Sequence, residues 1–188
     1  MGRDKAGVRL GGRTLLERAI TRVREAGGEP LIIGPPWPVL EMLGARQSDE
    51  SEGASEADSH QGPLPALRHG LAICGTPIAV ALACDLPLVP PALLRLLAEE
   101  VERFDAVVPR AGGELQVLAA AYAGACLGAI DQHLASGARS VHGFLDRVRV
   151  RVLEEEELRP FGGEEIFLNV NRPEDLAVAE ERVRRMDA

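Results

Sequence analysis

Apolar residues along 14–26 recur at three- and four-residue intervals: Leu15, Leu16, Ala19, Ile20 and Val23 share one face, which predicts a helix. Thr14 and Glu17 have the spacing of a capping box ahead of that run, and Gly27-Gly28 marks its end. The same pattern predicts helices at 39–43, 63–73, 90–103, 122–134, 140–147 and 173–186, with a helical turn at 154–157. Short apolar or alternating runs predict strands at 29–33, 77–84, 105–109, 115–120, 148–153 and 166–170. Ile78 to Cys84 is uninterrupted by a polar residue and is expected to be buried on both faces, as in a parallel sheet. Residues 48–61 are acidic and polar without periodicity and are expected to form a mobile loop. Strands alternate with helices, so the expected fold is α/β with a mostly parallel mixed sheet, as one domain over 1–188.

Composition narrows the class. The chain has 188 residues, 46% of them hydrophobic, enough for a core, and no apolar run reaches the ~20 residues of a membrane-spanning helix. No signal-peptide pattern follows Met1, so a cytoplasmic protein is expected, with no membrane partner. A net charge of −8 argues against nucleic acid as a partner. Cys74, Cys84 and Cys126 form no Cys-x-x-Cys pair, and the four histidines share no ligand spacing.

Two exclusions draw attention to what survives them. Lys5 is the only lysine among 21 basic residues, and the only asparagines, Asn169 and Asn171, lie in one tripeptide. A lysine after Gly-Arg-Asp and before Gly11-Gly12 is suited to neutralising phosphate as a point charge; the plain alternative is an ordinary surface lysine. In open α/β sheets ligands bind beyond the carboxyl ends of strands. Asp85 follows the strongest predicted strand and is placed to hold Mg²⁺, or simply to brace its loop. Gly62-Pro63-Leu64 opens a helix whose free N–H groups suit an anion or a base edge. Asn169 and Asn171, two apart on a predicted strand end, suit substrate oxygens, and Asn171 alternatively caps the next helix.

In this order the segments resemble the molybdenum cofactor guanylyltransferase family. Met1-Gly2-Arg3-Asp4-Lys5 resembles the end of its signature, Leu-Ala-Gly-Gly-x-Ser-x-Arg-Met-Gly-x-Asp-Lys. Gly62-Pro63-Leu64 resembles its Gly-Pro-Leu, Cys84-Asp85-Leu86-Pro87 its Cys-Asp-x-Pro, and 167–176 its closing Phe-x-Asn-x-Asn-Thr-Pro-Glu-Asp-Leu, with Arg172 in place of Thr. The resemblance implies a Rossmann-like three-layer nucleotidyltransferase fold. It implies transfer of GMP from GTP to the phosphate of molybdenum-molybdopterin, with Mg²⁺ as cofactor. Other molybdenum cofactor biosynthesis proteins and molybdoenzyme apoproteins are the further partners it implies.

By the same resemblance Lys5 and Asp85 are the catalytic pair, with Asp85 the metal ligand. Gly62, Pro63 and Leu64 belong to the nucleotide site, with Asp49 or Asp58 against the base, and Asn169 and Asn171 line the acceptor or metal side. The family's first strand and Ala-Gly-Gly loop have no counterpart here. The expectation is therefore that Met1 is internal to the signature, and that 31–33 and 78–84, between which that strand would lie, do not pair directly. A cytidylyltransferase, another small-phosphate nucleotidyltransferase, and a homologue that binds nucleotide without catalysis are the alternatives.

Overall fold

The computed structural model describes residues 5–34, 44–48 and 62–186. The helix expected at 39–43, the mobile loop expected at 48–61 (Ser48 apart), and both Asp49 and Asp58 lie outside the described residues.

The chain enters through a single 3₁₀ turn, Lys5–Gly7, and a hairpin of β1 (Arg9–Leu10) and β2 (Arg13–Thr14). Gly11 and Gly12, at φ 57° and 83°, make the hairpin turn. Helix α1 (Leu15–Glu25) starts on the expected capping box: the Thr14 hydroxyl accepts from the Glu17 N–H, and the Glu17 carboxylate accepts from the Thr14 N–H. That backbone N–H holds the Glu17 carboxyl below its ordinary range.

Next come β3 (Leu31–Ile33) and β4 (Arg46–Ser48), which pair in parallel with each other. Helix α2 (Pro63–Ile73) leads to β5 (Ile78–Leu82), then α3 (Pro91–Glu100) and β6 (Ala106–Ala111). A tight turn connects β6 to β7 (Glu114–Leu115), which is followed by β8 (Ala119–Ala123), α4 (Cys126–Ala135) and α5 (Val141–Leu145). The last elements are β9 (Val150–Leu153), α6 (Glu155–Leu158) and α7 (Pro173–Met186).

The main sheet runs β5-β8-β6 with β7 and β9 both pairing β6. Strands β5, β6 and β9 point one way, and β8 runs against them between β5 and β6. Side chains alternate across it. Ile78, Val80, Leu82, Val107, Ala119 and Ala121 meet α3 and α6 on one face. Ala79, Ala81, Ala106, Val108, Ala120 and Tyr122 meet α2, α4 and α5 on the other. Helices on both faces make the three layers expected. Within the second face Tyr122 is fully buried, and its hydroxyl donates to the Val117 carbonyl at 2.7 Å.

Three expectations change. The 77–84 strand is half-buried rather than fully covered: β8 hydrogen-bonds one edge, and among the described residues nothing pairs with the other. The 115–120 strand and 122–134 helix shift, because the backbone turns at Gln116–Ala119 and again at Gly124, so Tyr122 lies within a strand instead of starting a helix. Residues 166–170 form no strand. Gly162 and Gly163 take φ of 112° and 65° and wind the segment into a 3₁₀ stretch, Gly163–Phe167. As expected, β3 and β5 are not hydrogen-bonded to each other; α2 packs against both, with Gly70 close to Ile33.

Candidate functional site

Three residues far apart in sequence converge just past the end of β5. The Lys5 ammonium lies 3.3 Å from Asp85 Oδ2 and also donates to Asn171 Oδ1. A small apolar cluster explains the convergence. Val8 and Leu10 follow Lys5, Leu88 follows Asp85, and Val170 precedes Asn171; all pack together with Leu15, Ala179 and Val183. Burying these neighbours draws the three polar groups to the cluster's rim.

Each backbone is then pinned. Asp85 sits in a turn where Leu86 N–H donates to the Ala83 carbonyl at 3.2 Å, and its own carbonyl accepts from Val170 N–H at 2.9 Å. The Asp175 carboxylate accepts from the N–H groups of Asn171 and Arg172 at 3.0 and 2.8 Å, fixing the entry to α7. Val8 N–H closes the 3₁₀ turn on the Lys5 carbonyl at 3.1 Å. The Lys5 side chain is 42% exposed and that of Asp85 18%, so this cation is reachable from solvent while its carboxylate is mostly covered.

The remaining sequence-derived candidates fall elsewhere. Gly62, at φ 94°, precedes α2, whose first residue is Pro63. The Leu64 side chain is completely buried in the core, so only backbone is available there. Asn169 does not share Asn171's position. The strand geometry that would align them is absent; Asn169 is exposed and lines a cavity of about 510 Å³ with Gln116, Glu164, Phe167 and Arg182. No sequence motif announced that cavity, whose walls come from 111–116, 164–169 and α7.

Among the described residues no three His, Cys, Asp or Glu side chains converge as a metal cage. The oxygens of Asp85 and Asn171 do converge, with the Lys5 ammonium bonded to both. With the Lys5 ammonium moved aside, one carboxylate and one amide oxygen suit a hard divalent ion that completes its shell with water and phosphate. Among the described residues no helix is long and apolar enough to cross a membrane.

The MobA-like NTP transferase domain family matches residues 1–152. A probable molybdenum cofactor guanylyltransferase of Pelotomaculum thermopropionicum is 34% identical over 95% of this chain and 85% of its own length. The chain belongs to the molybdenum cofactor guanylyltransferase family. The molybdenum cofactor guanylyltransferase of Desulfosudis oleivorans is 28% identical over 97% of this chain and 89% of its own. The crystal structure of molybdopterin-guanine dinucleotide biosynthesis protein A from Archaeoglobus fulgidus superposes with a TM-score of 0.77 at 26% identity, covering 98% of this chain and 93% of that one. The fold extends beyond the guanylyltransferases. The 2-C-methyl-D-erythritol 4-phosphate cytidylyltransferase of Thermus thermophilus superposes at 0.71 with 20% identity, covering 96% and 93%.

Proposed function

We propose that the chain, acting as one domain, transfers GMP from GTP to the phosphate of molybdenum-molybdopterin and releases pyrophosphate. The observation that carries this reading is the meeting of Lys5, Asp85 and Asn171 beyond β5, in a chain of this family. An acceptor phosphate oxygen attacks the α-phosphorus of GTP. The bond from that phosphorus to the bridging β-phosphate oxygen breaks, and pyrophosphate leaves with the electron pair. The acceptor phosphate is already a nucleophile, so no side chain need become one. The protein's task is to align two anions and neutralise their charge.

Lys5 supplies a mobile positive charge to the triphosphate. Asp85 and Asn171 orient the Lys5 ammonium and hold Mg²⁺ when it is present. Held there, Mg²⁺ would screen the triphosphate and stabilise charge on the leaving pyrophosphate. Backbone at Gly62–Leu64 serves the base, with Asp49 or Asp58, and Asn169 faces the acceptor. Guanine is favoured over cytosine because the curated relatives are named guanylyltransferases, whereas the cytidylyltransferase likeness is one of fold.

The test is turnover of molybdenum-molybdopterin with GTP or CTP and Mg²⁺, following dinucleotide and pyrophosphate. GTP-dependent product with little from CTP is the expected result. CTP preference, or nucleotide binding without product, would overturn it.

A further inference from the structure

The cavity beside the charged cluster has a lining that selects a particular ring edge. We infer that it receives the 2-amino-4-oxopyrimidine edge of the acceptor's pterin, and that the Glu164 carboxylate reads it. This rests on the reading of the acceptor as molybdopterin.

Position comes first. Asn169 lines the cavity, Val170 N–H bonds the Asp85 carbonyl, and Asn171 accepts from Lys5. Three consecutive residues thus run from the cavity wall to the charged cluster. A ligand with its phosphate at Lys5 would have to span only these residues for its ring to reach the cavity. The volume, about 510 Å³, lies within the range of small-molecule sites.

The chemistry of the walls is acceptor-rich. Glu165 is neutralised by Arg182 at 3.3 Å, and the Arg182 guanidinium also donates to the Glu165 carbonyl at 2.8 Å. Glu164 is exposed and has no such cation among the described residues. The Gln116 amide nitrogen donates to the carbonyls of Ala111 and Glu114, at 3.4 and 3.3 Å, which leaves its oxygen as an acceptor. Phe167 contributes an apolar wall. Two adjacent N–H donors, the 2-amino group and the neighbouring ring N–H, match one carboxylate, while the ring face suits the apolar wall.

Backbone geometry makes room for that carboxylate. Gly112 and Gly113 turn from β6 to β7 at φ 59° and 77°, and a Cβ on Gly112 would lie 3.2 Å from Glu164 Oε1. The glycine that shapes the turn therefore also leaves space for the acid.

Guanine carries the same edge, so the experiment has two arms. Glu164→Gln keeps the shape and replaces one acceptor oxygen with a donor. Fluorescence titration with 6-hydroxymethylpterin should show Kd raised roughly 10-fold or more, with GTP affinity unchanged. In turnover, KM for molybdenum-molybdopterin should rise with kcat within about three-fold. Pterin binding and KM as in the wild type would overturn the inference, and so would a loss confined to GTP. If the wild-type protein bound pterin through Glu164 yet formed no dinucleotide, the catalytic reading would fail and the ring site would stand. If it turned over normally and Glu164→Gln had no effect, the ring site alone would fail.

Discussion

Two carboxylates stand at strand ends in this molecule and face cations, yet they are held in different ways. Asp105, just before β6, accepts from the Arg149 N–H at 2.8 Å and from its guanidinium at 3.3 Å. Its carbonyl accepts from Ala123 N–H at 2.9 Å and from the Cys126 thiol at 3.0 Å. One residue thereby ties β6, β8, β9 and α4 together. The Arg149 backbone N–H, foremost, holds the Asp105 carboxyl below its usual range. Asp85 has a covered carboxylate whose described partner is the ammonium of a flexible, partly exposed lysine. The first carboxylate is held by a backbone N–H as well as by the guanidinium of the same residue. The second is held by a cation that can move. On the proposed reading, the carboxylate that serves the chemistry differs from the structural one in its partners, not in its charge.

The largest effect expected from breaking this contrast is at Asp85. Asp85→Asn should lower kcat about 100-fold or more, as removal of one electrostatic contributor does elsewhere, with Tm within about 2 °C of wild type. Steady-state kinetics beside a thermal melt checks both halves. Near-normal turnover, or a large fall in Tm, would place Asp85 with Asp105 as a structural acid. Lys5→Arg keeps the charge but replaces a compact ammonium with a planar fork, and should cost about 10-fold in kcat/KM, about 1.4 kcal/mol. Wild-type kinetics from that variant would remove the lysine from the mechanism.

Asp105→Ala should do the reverse. It should lose about 1–2 kcal/mol of stability in urea unfolding while kcat stays within about two-fold. Because folding lowers the Asp105 pKa, its contribution is complete above the ordinary value, about 3.9, and fades as pH falls through the lower folded value. The stability gap between wild type and Asp105→Ala should therefore close in acid. A gap independent of pH would mean that lost packing, not the carboxylate, is responsible.

The mildest test uses the cysteine beside each acid. Cys126 is buried against the Asp105 carbonyl, and burial pushes its thiol up to about 11. Cys84, adjacent to Asp85, is half-exposed. Iodoacetamide at pH 8 should modify Cys84 at least ~10-fold faster than Cys126, read by peptide mass spectrometry. Equal rates would mean that the Asp105 junction opens as readily as the Asp85 turn.

The Asp85 half of this contrast was legible in the sequence, and the Asp105 half was not. Asp85 stood out because a polar residue ended an apolar run, and Lys5 because every other basic residue was arginine. The Thr14–Glu17 cap was legible because both halves of the interaction lie within one helical turn. What escaped depends on long-range geometry. The alanine-rich run of β8 carries no mark of its neighbours, so its insertion between β5 and β6 could not be read. The run 166–170 looked like a strand, but Gly162 and Gly163 wind its first residues into a 3₁₀ stretch, and Asn169 lines the cavity while Asn171 meets Lys5. Glu164 and Gln116 carried no signal, because the cavity they share exists only once the β6–β7 turn and the segment before α7 are brought together.

The single lysine has a practical consequence beyond the reaction. To an amine-directed reagent, this protein offers one side-chain target besides its α-amino group, and that target lies in the charged cluster at 42% exposure. Acylation followed by peptide mass measurement, which separates Lys5 from the α-amino group, thus reads out one side-chain atom, Lys5 Nζ, without engineering the chain. A ligand that engages that nitrogen will shield it, so the rate of labelling becomes a titration of site occupancy. The twenty arginines, inert to the same reagent, contribute no background.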